Sequence, residues 1–225
     1  MPQTNNCIVT YLYPGCEKFI KKFIQNLENQ TFQNFDVLFF CDNFFFNHRK
    51  FKTKLSYTCL KINGSISEIR HKSLLKIKKS SYKKIYFFDV DDLHKLNRLE
   101  ILEKLLDKHK IVFNDLDCIA KNKKTIKKNF FSYFFKNNEI IKLKKLYHQN
   151  FLGFGNTAIQ NNILKKLDFS NLKKNIYPYD WYFFSFILFN NKACFTNKTK
   201  TYYNINLKSY TRLPVKLTSG YLIHS

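Results

Sequence analysis

Arginine is scarce in this chain, with four residues among 39 basic side chains. A surface built to read nucleic acid favours arginine for its bidentate reach. No specific nucleic-acid partner is therefore expected, and the abundance of Lys, Asn, Phe, Ile and Tyr reads as the imprint of an A/T-rich coding sequence. Acidic residues are also few, which leaves a formal charge of +23. That surplus suits anionic substrates or a peripheral anionic membrane. No C-x-x-C pair occurs among Cys7, Cys16, Cys41, Cys59, Cys118 and Cys194, which argues against a zinc site or a disulfide scaffold and for reduced thiols in a cytoplasmic protein. The longest apolar run, Trp181 to Phe189, is roughly half of what a bilayer span needs. Met1 to Asn6 is polar, so no leader is expected. The expected location is cytoplasmic, at most peripheral to the inner face of a membrane. No Gly- or Ser-rich linker divides the 225 residues, and an aromatic content of 18% argues against disorder. A single domain is expected over 1–225, with 207–225 as a loosely attached C-terminal tail.

Strand and helix patterns alternate through the first half. Cys7 to Tyr13 reads as a strand stopped by Pro14-Gly15. Ile20, Phe23, Ile24 and Leu27 recur at i, i+3, i+4, i+7, the spacing of a helix with one apolar stripe. Asp36 to Cys41 is a second strand ending in Asp42-Asn43, and the βαβ order implies parallel pairing. Tyr57 to Ile62 reads as a third strand. Ser65 then caps a helix that turns Ile66, Ile69, Leu74 and Ile77 inward. Asn97 to Lys110 is a further helix, and Ile111 to Phe113 a strand ended by Asn114-Asp115. After that the alternation fades. Lys121 to Lys128 reads as a solvated loop or flap, and Phe130 to Leu146 fits a strand pair or a helix equally. Tyr177-Pro178 opens an aromatic helix, and two short strand-like runs follow at Ala193 to Thr196 and Thr201 to Ile205.

The chain is organised around Lys84-Ile85-Tyr86-Phe87-Phe88-Asp89-Val90-Asp91-Asp92, an apolar strand-length run ending in three carboxylates within four positions. In open α/β sheets the carboxyl edge of the strands is where ligands bind. On an extended chain Asp89 and Asp91 point the same way and could share one hard cation, Mn²⁺ or Mg²⁺; the plain alternative is that they cap the next helix. Asp42 ends a second strand at the same expected edge. Neither G-x-G-x-x-G nor G-x-x-x-x-G-K-[ST] occurs, so a dinucleotide dehydrogenase and a P-loop enzyme are unsupported.

Taken in order, Ile8-Val9-Thr10-Tyr11, Leu27 to Phe32, Phe35 to Asp42, Ile69-Arg70-His71-Lys72 and Phe87 to Asp92 resemble the family-2 glycosyltransferases. The resemblance is continuous over the first half; Gly155-Asn156-Thr157-Ala158 and Tyr179-Asp180-Trp181 add shorter matches. It implies a GT-A-like, Rossmann-like, mostly parallel sheet flanked by helices, with a nucleotide-binding half at 1–120 and an acceptor-side half at 121–206. It implies an enzyme that transfers a sugar, with inversion, from a nucleotide-diphosphate donor of UDP type to a glycan or lipid-linked acceptor. Thr10 and Tyr11 would line the nucleotide pocket, Asp42 would contact the base and Arg70 would help hold the nucleotide. Asp89 and Asp91 would form the D-x-D pair on ribose and metal, with Asp92 in support, and Asp180 would be the catalytic base. Two departures stand out: His71 replaces the usual Asn, and the C-terminal Y-R-x-H segment reads Tyr203-Asn204-Ile205-Asn206, leaving His224 as a remote substitute. The residues alone also admit a plain N-cap for Asp180, a solvated position for Arg70, and either a sugar platform or core packing for Trp181. The rival readings are a nucleotidyltransferase on a similar sheet and a basic module that binds nucleic acid or a membrane surface.

Overall fold

The computed structural model describes residues 4–120 and 124–205. In chain order the elements are β1 (Asn6–Leu12), α1 (Glu17–Glu28), β2 (Asp36–Asp42), β3 (Tyr57–Ile62), α2 (Ile66–Lys78), β4 (Lys84–Phe87), β5 (Leu93–His94) and α3 (Arg98–Leu106). They continue as β6 (Ile111–Ile119), β7 (Thr125–Lys127), β8 (Ile140–Ile141), α4 (Leu143–Leu146), β9 (Thr157–Gln160), α5 (Asn162–Lys166), α6 (Tyr179–Leu188) and β10 (Ala193–Asn204). One sheet runs in the order β3-β2-β1-β4-β9-β6-β10-β5, with β7 paired to β6 and β8 to β10. The first four strands of that order are parallel. β9 is antiparallel to β4 and β6, and β6 and β10 are parallel again. The long strands thus share one direction, and β2 and β4 end at the same edge on either side of β1.

Alternation along the strands divides the core into two layers. Val9, Tyr11, Phe87 and Phe113 face α2, α5 and α6, where Leu74, Ile77, Phe183 and Phe184 pack. Ile8, Leu12, Phe39 and Tyr86 face α1 and α3, which bury Phe23, Leu27, Leu99 and Leu102. The apolar stripe of α1 is buried as its spacing requires. In α2, Ser65 accepts from the Glu68 N–H and the Glu68 carboxylate accepts from the Ser65 N–H, a reciprocal cap. Its Ile69, Leu74 and Ile77 are buried, whereas Ile66, in the first turn, stays 36% exposed.

Several elements differ from the sequence-based expectations, and at β6 the reason is buried polar side chains that pair. β6 does not stop at Phe113 but runs on to Ile119. Asn114 is held by Arg98 and Thr201, and Asp115 accepts from the N–H groups of Leu116 and Phe131 and from the Ser132 hydroxyl. The two short runs at the C-terminus are one strand, β10, with a register shift between Thr196 and Lys200. α3 ends at Leu106 rather than Lys110. Phe130 to Leu146 is neither a strand pair nor a helix; it is a 3-10 turn at Phe131–Tyr133, the two-residue β8 and the single-turn α4. The expected loop after Lys121 carries β7 in its described part, and the expected tail at 207–225 lies outside the described residues.

Candidate active site

β4 ends at Phe87, and the acidic segment beyond it is a turn, closed by the Asp92 N–H donating to the Asp89 carbonyl at 3.2 Å. The pleat that would align Asp89 with Asp91 therefore stops before either residue. Instead Asp89 and Asp92 present their Oδ2 atoms to the same point beside Gly155, 2.8 and 3.1 Å from where a Cβ would stand. Asp92 is 2% exposed. Its Oδ1 accepts the Asn204 N–H at 2.8 Å, and its Oδ2 has no hydrogen-bond partner among the described residues. Burial, then the charges of Asp91 and Asp89, hold its pKa well above the carboxylate range. Asp91 is pushed up to about 6, by burial first and by Asp89 second.

Arg70 projects from α2 into this cluster. Its Nη2 donates to Asp89 Oδ1 at 3.3 Å, and its guanidinium lies 3.6 Å from the centre of the Tyr11 ring and 4.8 Å from that of Phe154. Packing between rings removes most of its rotamer freedom, so the cation points at the acids. Tyr11 is fixed from below by a 2.6 Å hydrogen bond between its hydroxyl and Ser73 Oγ. Thr10, the next position on β1, faces the opposite layer and is fully buried. Asp42 stands at the same sheet edge, its Oδ1 accepting from Asn43 Nδ2 at 3.2 Å, and partial burial raises its pKa.

Asp180 arrives from the far half of the chain, in the first turn of α6. Its Oδ1 accepts the Trp181 N–H at 2.8 Å, and its Oδ2 accepts from Asn150 at 3.4 Å and lies 3.7 Å from the Cβ position of Gly153. Burial raises its pKa and outweighs the lowering by the Trp181 N–H and Arg70. Trp181 is pinned by its Nε1–H donating to the Leu146 carbonyl at 2.8 Å. Arg70, Asp89, Asp92, Gly155, Asp180 and Trp181 line a single cleft of about 360 Å³. Its remaining wall is uncharged and includes Leu116, Phe131, Phe151 and Tyr203. Thr10, Tyr11, Asp42 and Asp91 are not among the cleft's lining residues.

Two contributors were given no role at the site from the sequence. Arg98, the first residue of α3, is fully buried: its Nε donates to Asn114 Oδ1 at 2.7 Å, its Nη2 to the Phe87 carbonyl at 3.2 Å, and its guanidinium sits 4.1 Å from the Phe88 ring centre. Burial pulls its pKa down to about 9 against the charges of Asp92 and Asp89, so a cation backs the acidic turn from inside the core. Its rarity as one of four arginines was the available signal. Asn204 is the second, since the segment that lacks the family's Arg and His reaches the acidic turn through its backbone N–H. His71 turns away, its Nδ1 within 3.0 Å of the Tyr179 hydroxyl and its ring against Phe169. Asn206 and His224 lie outside the described residues. Among those described, no three His, Cys, Asp or Glu side chains stand as a ready-made metal cluster, and no helix is long and apolar enough to cross a membrane.

These features define an α/β fold of GT-A type with an acidic, arginine-braced cleft at the carboxyl edge of its parallel strands. No protein-family model and no curated protein sequence matches the chain. Among solved structures it is similar to S. aureus TarS 1–349 in complex with UDP-GlcNAc, with a TM-score of 0.68 at 16% identity, over 91% of this chain and 59% of that one. TarS 1–349 in complex with UDP gives 0.66 at 15% identity, over 89% and 60%. TarS itself gives 0.65 at 16% identity, over 89% of this chain and 36% of that one. This chain thus spans about 60% of TarS 1–349 and 36% of TarS itself, under two thirds in each case, and at such identity the likeness is one of fold.

Proposed function

We propose that the chain is a glycosyltransferase that moves a sugar from a nucleotide-diphosphate donor of UDP type to an acceptor hydroxyl, with inversion. The observation that carries this reading is the meeting of Asp180 with Arg70, Asp89 and Asp92 in one cleft at the strand edge, from segments about ninety residues apart. The fold neighbour solved with UDP-GlcNAc supports the donor class.

In this reading Asp180 takes the acceptor hydroxyl proton as that oxygen attacks the anomeric carbon. The bond from that carbon to the diphosphate oxygen breaks, and the electron pair leaves with the nucleoside diphosphate. A carboxylate with a burial-raised pKa is the better proton acceptor. The Asn150 contact and the Trp181 N–H fix its orientation. Arg70, locked between Tyr11 and Phe154, supplies positive charge where the diphosphate departs. Tyr11 and Asp42 stand toward the strand edge that would take the nucleoside, while Thr10 is buried beneath it.

The donor set fits a hard divalent cation. Asp92 Oδ2 is buried without a hydrogen-bond partner among the described residues, Asp89 Oδ2 faces the same point, and the charge of Asp89 is felt at Asp91. A diphosphate and water would complete the coordination, so no three-carboxylate protein cage is required. When held there by Asp89 and Asp92, Mn²⁺ or Mg²⁺ would neutralise the departing diphosphate.

The test is thermal stabilisation by a panel of nucleoside diphosphates with and without Mn²⁺. A UDP-type ligand is expected to raise the Tm only with the cation present. Asp180→Asn is expected to keep that shift and to lose about 10²- to 10⁴-fold in transfer. Retained turnover in the variant would move the base elsewhere.

A further inference from the structure

The stretch from Lys124 to Tyr147 has no part in the chemistry above beyond lending Phe130 and Phe131 to the cleft wall and the Leu146 carbonyl to Trp181. It carries seven lysines against one acid, Glu139, and that carboxylate is occupied by the Lys136 N–H at 2.8 Å. Its aromatic residues divide by exposure. Phe131 and Phe135 drop into the core, 3% and 6% exposed, while Tyr133 and Phe134 between them remain 68% and 47% exposed. The buried pair anchors the turn, so the outer pair is held out in a defined position. The Phe130 and Phe134 ring centres are 5.9 Å apart, and Lys127 Nζ lies 4.6 Å from the Tyr133 ring centre and 5.4 Å from that of Phe130. Lys128 and Lys136 flank the group and are exposed. The result is one patch of ordered rings interleaved with lysine, continuous with the cleft mouth.

We infer that this surface docks on an anionic phospholipid bilayer, with Tyr133 and Phe134 at headgroup depth and Lys127, Lys128 and Lys136 against lipid phosphates. Aromatic side chains favour the membrane interface, and lysines next to them draw the chain to a negative leaflet. Charge complementarity selects the occupant: a local excess of six positive charges sits within a chain of net +23. The same patch lacks arginine, and Phe134 offers an apolar ring rather than a hydrogen-bonding edge, which disfavours nucleic acid. The docking rests on the transferase reading only for its purpose, which is to hold the uncharged cleft wall against an acceptor carried at the bilayer surface.

The experiment is co-sedimentation of the full chain with vesicles of phosphatidylcholine alone and of phosphatidylcholine with phosphatidylserine. Binding is expected to the anionic vesicles only and to weaken with salt. The double variant Tyr133→Ser/Phe134→Ser is expected to lose about tenfold or more in vesicle affinity while its Tm and its nucleotide response stay unchanged. A wild-type protein that ignores anionic vesicles, or a double variant that binds them as well as wild type, overturns the inference. Retention on RNA or DNA without vesicle binding overturns it in favour of a nucleic-acid partner. A protein that responds to nucleotide sugars yet ignores vesicles refutes the docking and leaves the transferase. One that binds vesicles through Tyr133 and Phe134 yet responds to no nucleotide sugar keeps the docking and removes the transferase.

Discussion

Asp91 is the residue whose environment makes the sharpest demand on pH. Its folded-state pKa of about 6 exceeds the ordinary Asp value of about 3.9, so the ligand-free folded chain binds a proton more tightly than the unfolded one. Its contribution is therefore most favourable below about pH 4 and declines as pH rises through about 6. Asp92, also raised, acts in the same direction. Asp91→Asn is expected to stabilise the cation-free protein near neutral pH by about 1–3 kcal/mol and to flatten the pH dependence of Tm between about 4 and 6. Identical pH slopes in the two proteins would assign that titration elsewhere. The identity of the acids was legible in the sequence because three of them crowd one strand tip. Which of them share a point was not, since a pleat argument holds only on extended chain and the strand stops at Phe87.

At the scale of elements, the loop entering β9 and the turn leaving β4 are built against each other. Gly155 carries an ordinary backbone conformation, so only contact restricts it: a Cβ there would stand 2.8 Å from Asp89 Oδ2. Gly155→Ala is expected to push that carboxylate off its position, to weaken nucleotide and Mn²⁺ binding about tenfold and to leave the far-ultraviolet circular dichroism unchanged. Unweakened binding in an intact fold would show that the carboxylate has room to move. Helices α1 and α2 were readable because a single apolar stripe and a Ser-x-x-Glu cap act locally. β6 was not, because Asn114, Asp115 and Asp117 look like a strand's end until Arg98, Ser132, Thr201 and Lys200 arrive from elsewhere to pair with them.

For the whole molecule, 39 basic against 16 acidic side chains make self-repulsion a global destabilising force. Ion pairs such as Lys84 with Glu103 and Lys200 with Asp117 neutralise little of it. Raising ionic strength from low salt to about physiological shortens the screening length to about 8 Å and is expected to raise Tm by a few degrees. A Tm that is flat or falls with salt would mean that local pairs outweigh the general field. The same field acts outward on anionic partners, so the stability and any membrane attraction respond to salt in opposite directions.

By itself the sequence determined the alternating strands and helices of the first half, the shared edge at which β2 and β4 end, and the stripes that form both core layers. Each follows from interactions within a few residues or from the period of the backbone. Only the tertiary structure decided that Asp180 meets Asp89 and Arg70, that Asp92 rather than Asp91 shares a point with Asp89, and that Arg98 is buried behind them. Those outcomes depend on side chains far apart in the chain and on a turn whose direction no local pattern encodes, so folding had to bring the partners together before the site existed.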